Sequence, residues 1–139
     1  MEVMYSLLSG LGIKKLVMLY DADKAGVSTF KEMGYMQEYS LFTHNVPNEY
    51  LTTSKKLTKE KSIEDIFSKN DFKKYYLLDN SQFFDESKTN SEMAKNKNSK
   101  YLDSKILLDN INEYAFDEET KANINSLISG IQEKFALYV

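Results

Sequence analysis

Two short apolar segments separated by a helical pattern constrain the fold of this chain more than any other feature. Residues 16–20 are five consecutive apolar residues, and they lead into the polar turn 21–26. A helical pattern then ends near Gly34, and the second apolar segment follows at residues 39–43. Parallel strands need a crossover between them, usually a helix, so this order predicts a βαβ unit. The fold class is therefore α/β, with the first strand covered on both faces in a sheet flanked by helices.

Flanking segments extend this unit in both directions. Before the first strand, apolar residues recur at helical spacing, and Gly10 and Gly12 are placed to end a helix. Residues 44–61 contain the only proline and many lysines, which predicts a surface loop. Ser62 then begins a helix signal that breaks at residues 70–71, so two short helices are expected. We therefore expect residues 1–79 to form one α/β core.

The rest of the chain falls into two parts. Residues 80–100 are dominated by Ser, Asn, Lys, Asp and Glu, which predicts a mobile polar loop that buries little. Residues 101–139 carry apolar side chains at helical spacing on either side of a break at residues 116–117. We expect this last part to form a helical hairpin that packs on the same domain.

The residue types exclude several kinds of site. The chain contains no cysteine and a single histidine, so thiolate zinc sites and histidine-rich clusters are excluded, and a bound metal would be held by oxygen. Every basic residue is a lysine and the net charge is −3, so any contact with nucleic acid must be local. No apolar run approaches the roughly 20 residues of a membrane span, and we expect a cytoplasmic protein with no membrane partner.

Two aspartates supply the strongest functional signal. Asp21 and Asp23 flank one residue in the turn after the first strand, and Gly26 lies where the next helix starts. The carboxyl ends of parallel strands form the ligand edge of an open sheet, and two carboxylates there suit a divalent cation such as Mg²⁺. A glycine at the helix start also lets a phosphate approach the positive end of the helix. The competing interpretation is that Asp21 and Asp23 cap the helix or are solvated in the turn.

The sequence LVMLYDADKAG, residues 16–26, resembles the aspartate motif of Toprim domains, the metal-binding fold of topoisomerases, primases and OLD (overcoming lysogenization defect) nucleases. Ser62 and Glu64, in KSIEDIF, resemble the Ser-x-Glu pattern with which OLD-family nucleases help to hold a second metal. That family also carries a lysine ahead of an apolar helix, and Lys105 in DSKILLDNI is the matching candidate, with Lys100 second. The competing interpretations are helix capping by Ser62 and a solvated Lys105.

The resemblance implies Mg²⁺- or Mn²⁺-dependent hydrolysis of DNA, with two cations about 4 Å apart. It makes Asp21, Asp23, Ser62 and Glu64 metal ligands, and Asp21, Asp23, Glu64 and Lys105 catalytic residues. The glutamate-bearing strand that opens a complete Toprim domain has no match here, so we interpret the chain as an amino-terminally truncated fragment whose activity alone stays open. The implied partners are DNA, the ATPase part of the same longer protein or a split partner chain, and a second copy, and the family's habits imply phage defence.

Two other functions are compatible with the same residues. An apolar strand followed by Asp-x-Asp also opens haloacid-dehalogenase-like phosphatases, in which the first aspartate is a nucleophile. That family usually has Thr or Val where this chain has Ala25, and residues 24–26 match Toprim domains better. Alternatively, the fragment is a non-catalytic assembly module that pairs through an exposed sheet edge. This alternative predicts a stable dimer whose assembly does not depend on Asp21.

Overall fold

The computed structural model describes residues 2–78, 80–95, 108–109 and 111–138. These residues form a mixed α/β structure in which helices predominate and two strands pair in a parallel sheet. The chain divides into two units, Met1–Glu60 with Ser126–Val139, and Lys61–Asn125. This division differs from the expected one, which placed a boundary at residue 79. Among the described residues, no helix is both long enough and apolar enough to cross a membrane.

The first unit contains the βαβ arrangement that the sequence predicts, and the structure confirms it. Its elements are helix α1 (Glu2–Gly10), strand β1 (Met18–Tyr20), helix α2 (Lys24–Glu32), a 3₁₀ helix (Gly34–Tyr39), strand β2 (Ser40–Phe42) and helix α3 (Asn48–Thr52). The two strands are parallel, with Leu19 opposite Leu41 in the register. Helix α2 ends just before Gly34, whose φ of 53° lies in the left-handed region that favours glycine.

Two details of the first unit differ from the sequence prediction. Strand β1 is three residues long and Leu19 at its centre is 41% exposed, so the expected coverage of both strand faces is wrong. Successive side chains of a strand point to opposite faces: one apolar cluster covers the face of Met18 and Tyr20, whereas the face of Leu19 and Leu41 is only partly covered, by the segment around Gly130. Residues 44–61 are not wholly a loop, because α3 forms directly after Pro47, whose φ of −56° is already close to the helical value.

Two apolar clusters hold the first unit together. One packs β1 against α2 and the 3₁₀ helix after it, and consists of Met18, Tyr20, Met33 and Met36. The other joins the turn after β1 to α2 and to the segments before and after α3, and consists of Ala22, Val27, Val46 and Leu57. Near the carboxyl end, the Tyr138 ring stacks on Tyr39 at a centroid distance of 4.2 Å, and its hydroxyl donates to the Leu16 carbonyl at 2.5 Å. The end of the chain is thereby fixed to the entrance of β1.

The second unit is helical in its described part. Its elements are a 3₁₀ helix (Ile63–Ile66), helix α4 (Lys69–Asp71) continuing as a π-helix (Phe72–Leu77), a 3₁₀ helix (Ser81–Phe83), helix α5 (Asn90–Lys95), a 3₁₀ helix (Ile111–Glu113) and the start of helix α6 (Glu118–Ala136). From Ser126 onward, α6 belongs to the first unit. The core of the second unit is formed by Phe72, Tyr76, Leu77, Met93 and Ala94.

The structure corrects two expectations for this unit. The helix break lies at residues 67–68 rather than 70–71, because the Ser68 side chain caps α4 by accepting from the Asp71 backbone N–H at 3.1 Å. The described part of the expected loop, residues 80–95, contains a 3₁₀ helix and α5, and Met93 and Ala94 are 0% exposed. A mobile polar loop is therefore wrong for residues 80–95. The break expected at residues 116–117 is confirmed, since α6 begins at Glu118.

A network of hydrogen bonds ties the start of α4 to the start of α6. The Asp117 carboxylate accepts from the Thr120 backbone N–H at 2.9 Å and also from the Ser68 hydroxyl. The Asp117 backbone N–H donates to the buried Asp71 carboxylate at 2.9 Å, and the Ser68 N–H donates to the fully buried Thr120 hydroxyl at 2.8 Å. The hydrogen bond from Ser68 is the main cause that lowers the pKa of Asp117 below its ordinary value.

The substitution Ser68→Ala tests this network. It removes the cap of α4 and the main hydrogen bond to Asp117, so we expect the free energy of unfolding at neutral pH to fall by about 0.5–2 kcal/mol. A carboxyl group whose folded pKa is depressed stabilises the fold above its unfolded pKa, and this stabilisation is lost as the pH falls through the folded pKa. Because Ser68→Ala raises the folded pKa of Asp117, the acid unfolding midpoint should move to higher pH. Urea denaturation followed by circular dichroism across acidic pH measures both effects.

Ser81→Ala is the matched control, because Ser81 is exposed and lies in the same unit. Its unfolding curves should overlay those of the unsubstituted chain at every pH. Equal stability and an equal acid midpoint for Ser68→Ala would contradict the role given to the network.

Candidate metal centre

The turn between β1 and α2 positions two carboxylates within three residues. Asp21 directly follows the last residue of β1, and Asp23 is the N-cap of α2, with φ −129° and ψ 177°. One carboxylate oxygen of Asp23, Oδ1, accepts a hydrogen bond from the Gly26 backbone N–H at 2.7 Å. The strand-to-helix turn expected from the sequence is therefore present, and Asp23 is a helix cap. A cap uses one carboxylate oxygen, so capping by Asp23 does not by itself exclude metal binding.

Ala22, between the two aspartates, is anchored in the core. It is 4% exposed and packs in the cluster that contains Val27, Val46 and Leu57, while Asp21 and Asp23 are both half-buried. Burial of the small middle residue fixes the backbone of the turn. The two acidic side chains are therefore carried by a rigid segment and remain accessible to solvent in part, as a site for a dissolved ion requires.

Gly26 allows α2 to begin so close to the end of β1. A Cβ atom at this position would lie 2.0 Å from the Asp21 backbone carbonyl oxygen and 3.2 Å from Asp23 Oδ1. The first of these distances is far inside van der Waals contact, and its partner is a backbone atom that cannot rotate away. Only glycine fits without a shift of the turn itself.

Ser62 and Glu64 lie in the second unit, at the start of the 3₁₀ helix Ile63–Ile66. Both are half-buried, and the Ser62 hydroxyl donates a hydrogen bond to the Glu64 carboxylate. Ser62 is the N-cap, as the competing interpretation expects, and its backbone N–H donates to the Asp65 carboxylate at 3.0 Å. The structure thus brings the hydroxyl and carboxylate of the Ser-x-Glu pattern together. Lys105 and Lys100 lie outside the described residues.

Asp65 and Asn90 support this 3₁₀ helix; the sequence predicts Asp65 as the capping-box partner of Ser62, which the structure confirms, whereas Asn90 was not predicted. Asp65 Oδ1 accepts from the Asn90 backbone N–H at 2.7 Å, while Asn90 Nδ2 donates to the Phe67 and Glu64 carbonyl oxygens at 2.7 and 3.0 Å. Asn90 is 2% exposed, so these bonds are protected from water. These hydrogen bonds fix the backbone segment that carries Ser62 and Glu64.

A sequence signal for the helix that carries Asn90 was present. Thr89 and Glu92 form a capping box, in which the Thr89 N–H donates to the Glu92 carboxylate at 2.7 Å and the Glu92 N–H donates to the Thr89 hydroxyl at 3.2 Å. The first of these bonds is the main cause that lowers the pKa of Glu92. The Thr-x-x-Glu spacing predicts a helix start, whereas the polar composition of the surrounding residues predicts a loop.

The donor set at the end of β1 fits a magnesium-type ion. Within the described residues, no group of three or more Asp, Glu, His or Cys side chains is arranged to hold a metal. Mg²⁺ is commonly bound by only one or two carboxylates together with water and substrate phosphates. Asp21 and Asp23 supply two hard oxygen donors of that kind, whereas a structural zinc site would need a closed set of four ligands.

The substitution Gly26→Ala tests the packing of the turn. Because the added Cβ would overlap the Asp21 carbonyl oxygen, we expect a loss of about 1–3 kcal/mol in the free energy of unfolding, although alanine is the better helix former. Gly10→Ala is the control, since a Cβ at the end of α1 would meet no atom within 4 Å. Urea denaturation measures both variants. A Gly26→Ala chain as stable as the control would contradict the close approach.

Comparison of the chain with protein-family models, with curated proteins and with solved structures finds no match in any of the three. Function is therefore inferred from the residues themselves. The relevant residues are the acidic turn after β1 and the Ser-x-Glu segment of the second unit.

Proposed function

We propose that this chain is a Toprim-like domain of OLD-family type that takes part in metal-dependent hydrolysis of DNA. One observation carries the proposal: Asp21 and Asp23 flank a buried alanine at the carboxyl end of a strand in a parallel βαβ unit. This end of a parallel strand is where open α/β sheets bind their ligands. A pair of carboxylates at that position favours a hard divalent cation and, through it, a phosphate ester.

Asp21 and Asp23 would hold Mg²⁺ or Mn²⁺ in this function. When bound, such an ion activates water and neutralises negative charge at phosphorus. The hydrogen bond from the Gly26 N–H limits the rotation of the Asp23 carboxylate, so this ligand is pre-oriented before any ion arrives. The first N–H groups of α2 donate to the Glu60 and Asp23 carboxylates, so the partial positive charge of this helix end acts on the acidic side chains at the turn.

Ser62, Glu64 and Lys105 take secondary roles in this proposal. The hydrogen bond from the Ser62 hydroxyl orients the Glu64 carboxylate, and Asp65 and Asn90 hold the backbone beneath it. Ser62 and Glu64 would serve as ligands of a second ion, and Lys105 would stabilise negative charge on the phosphate. The family resemblance is the support for these three roles.

Metal binding is the first test, because it reports directly on the two aspartates that the proposal makes ligands. Mn²⁺ titrated into the chain by calorimetry should bind, and the double variant Asp21→Asn, Asp23→Asn should bind at least about tenfold more weakly. Asparagine is as good an N-cap as aspartate, so the variant should keep the start of α2. Removal of the ion with EDTA should abolish plasmid nicking wherever nicking is observed.

The double variant Glu32→Gln, Glu38→Gln is the matched control. Both glutamates are exposed in the first unit, and the change removes the same number of charges without touching the turn. It should bind Mn²⁺ as tightly as the unsubstituted chain. Absence of Mn²⁺ binding, or equal binding by the Asp21, Asp23 variant, would refute the ligand assignment, and nicking that needs neither metal nor Asp21 would refute the nuclease.

A second candidate function, assembly with another copy of the chain, is favoured by one observation. In the described residues β1 pairs with β2 only, and Leu19 at the centre of β1 is 41% exposed. An open strand edge beside an exposed leucine is a surface that a second strand can cover.

Leu19→Lys tests the assembly function by placing a charge on that surface. If the surface is an interface, sedimentation should show a dimer that Leu19→Lys dissociates and that Asp21→Ala leaves intact. Leu137→Lys is the control, because Leu137 is an equally exposed leucine elsewhere in the first unit. A monomeric chain, or a dimer unaffected by Leu19→Lys, would rule the interface out.

A further inference from the structure

The first unit contains a cleft lined by lysines that the metal site leaves unused. It has a volume of about 290 Å³ and lies between α2 and the segment that follows α3. Its polar lining consists of Lys24, Lys31, Lys55, Lys56, Ser28 and Ser54. The two lysines of α2 are separated by about two turns and so lie on one side of the helix, while the other two lysines come from the opposite wall. Residues distant in sequence thus build one basic surface.

The charges of the cleft are only partly compensated. Lys24 Nζ lies 3.9 Å from Glu60 Oε1, and Lys55 Nζ lies 3.1 Å from Glu49 Oε2. The side chains of Lys24 and Lys55 are 62% and 54% exposed, so these ion pairs are solvated and weak. Both ammonium groups remain accessible to an anion from solution.

The remaining two lysines have no carboxylate partner in the described part of the chain. Lys31 Nζ donates to the Thr53 carbonyl oxygen at 2.6 Å, which holds its charge at the cleft wall. Lys56 has no hydrogen bond or ion pair with any described residue. The residues that line the cleft include four lysines and no acid, so the lining itself is positive although the whole chain is acidic. Local excess charge of this kind is how an acidic protein binds a polyanion.

The cleft shares buried apolar residues with the acidic turn formed by Asp21, Ala22 and Asp23. Val27 and Leu57 lie on its apolar lining, and both belong to the buried cluster that contains Ala22. Lys24 also follows Asp23 directly in the chain. The cleft and the turn of Asp21 and Asp23 therefore share one buried cluster, although neither aspartate lines the cleft itself. Lysine ammonium groups bind phosphates as point charges and read no base sequence.

We propose that this lysine cleft binds the phosphodiester backbone of a nucleic-acid strand beside the turn of Asp21 and Asp23. This proposal rests on the proposed nuclease function and names the surface that holds its substrate. Contacts made only to phosphates give binding that is independent of sequence and strongly dependent on salt. Four ammonium groups on two walls of the cleft can neutralise neighbouring phosphates of one strand.

Fluorescence anisotropy with a labelled oligonucleotide tests the cleft in EDTA, so that the result does not depend on metal binding. The full chain should bind the oligonucleotide, and Lys55→Gln with Lys56→Gln should weaken binding. On single strands, the slope of log affinity against log salt concentration should become shallower by about 0.7 for each lysine lost. The double variant Lys14→Gln, Lys15→Gln is the matched control, because these exposed lysines lie in the same unit outside the cleft and should leave affinity unchanged.

Two further arms separate charge from folding and a strand from a free phosphate. Lys55→Arg with Lys56→Arg keeps both charges and should bind as the unsubstituted chain does. ADP, at the same total concentration of phosphate groups as a competing unlabelled strand, should displace the labelled strand far less effectively. Absence of binding, equal losses in the two glutamine variants, loss in the arginine variant, or full displacement by ADP would each overturn the proposal. Mn²⁺ binding with no oligonucleotide binding would overturn the cleft while leaving the metal site intact.

Discussion

The close approach of Gly26 to the Asp21 carbonyl group is the constraint on which the first unit depends. With no side chain at position 26, α2 begins immediately after β1, and the Gly26 N–H reaches the Asp23 carboxylate at 2.7 Å. This geometry turns Ala22 into the core and leaves an acid on each side of it. It also places Lys24 at the edge of the lysine cleft. One missing Cβ atom therefore sets the positions of both the acidic turn and the basic surface beside it.

Local patterns in the sequence were enough to predict the βαβ order and the turn. An apolar run, a polar turn and a glycine are neighbours in the chain, so the physics that joins them acts over a few residues. The exposure of Leu19 could not be predicted in the same way, because it depends on how many layers pack against the sheet. The sequence pattern of an apolar strand is the same whether one or both of its faces are covered.

Long-range contacts account for the failures in the second unit. Residues 80–95 are polar overall, yet Met93 and Ala94 are buried against Phe72 and its neighbours, which lie about twenty residues earlier. The bonds that Asn90 makes to the segment around Glu64 likewise join positions 26 and 23 residues apart. The lysine cleft combines α2 with residues 54–57 for the same reason. The amino-acid composition of such a segment is an average over all its residues, so it cannot show that two apolar residues within the segment are buried in a core.

The burial of Ala22 has a consequence for how a chain of this kind changes over generations. Position 26 holds glycine because the helix start leaves no room for a Cβ atom, and position 22 holds a small residue that is buried in the core. Asp21 beside them is half-exposed and belongs to neither apolar cluster of the first unit. A descendant could therefore lose the acidic side chain at position 21 and keep the alanine and glycine that shape the turn.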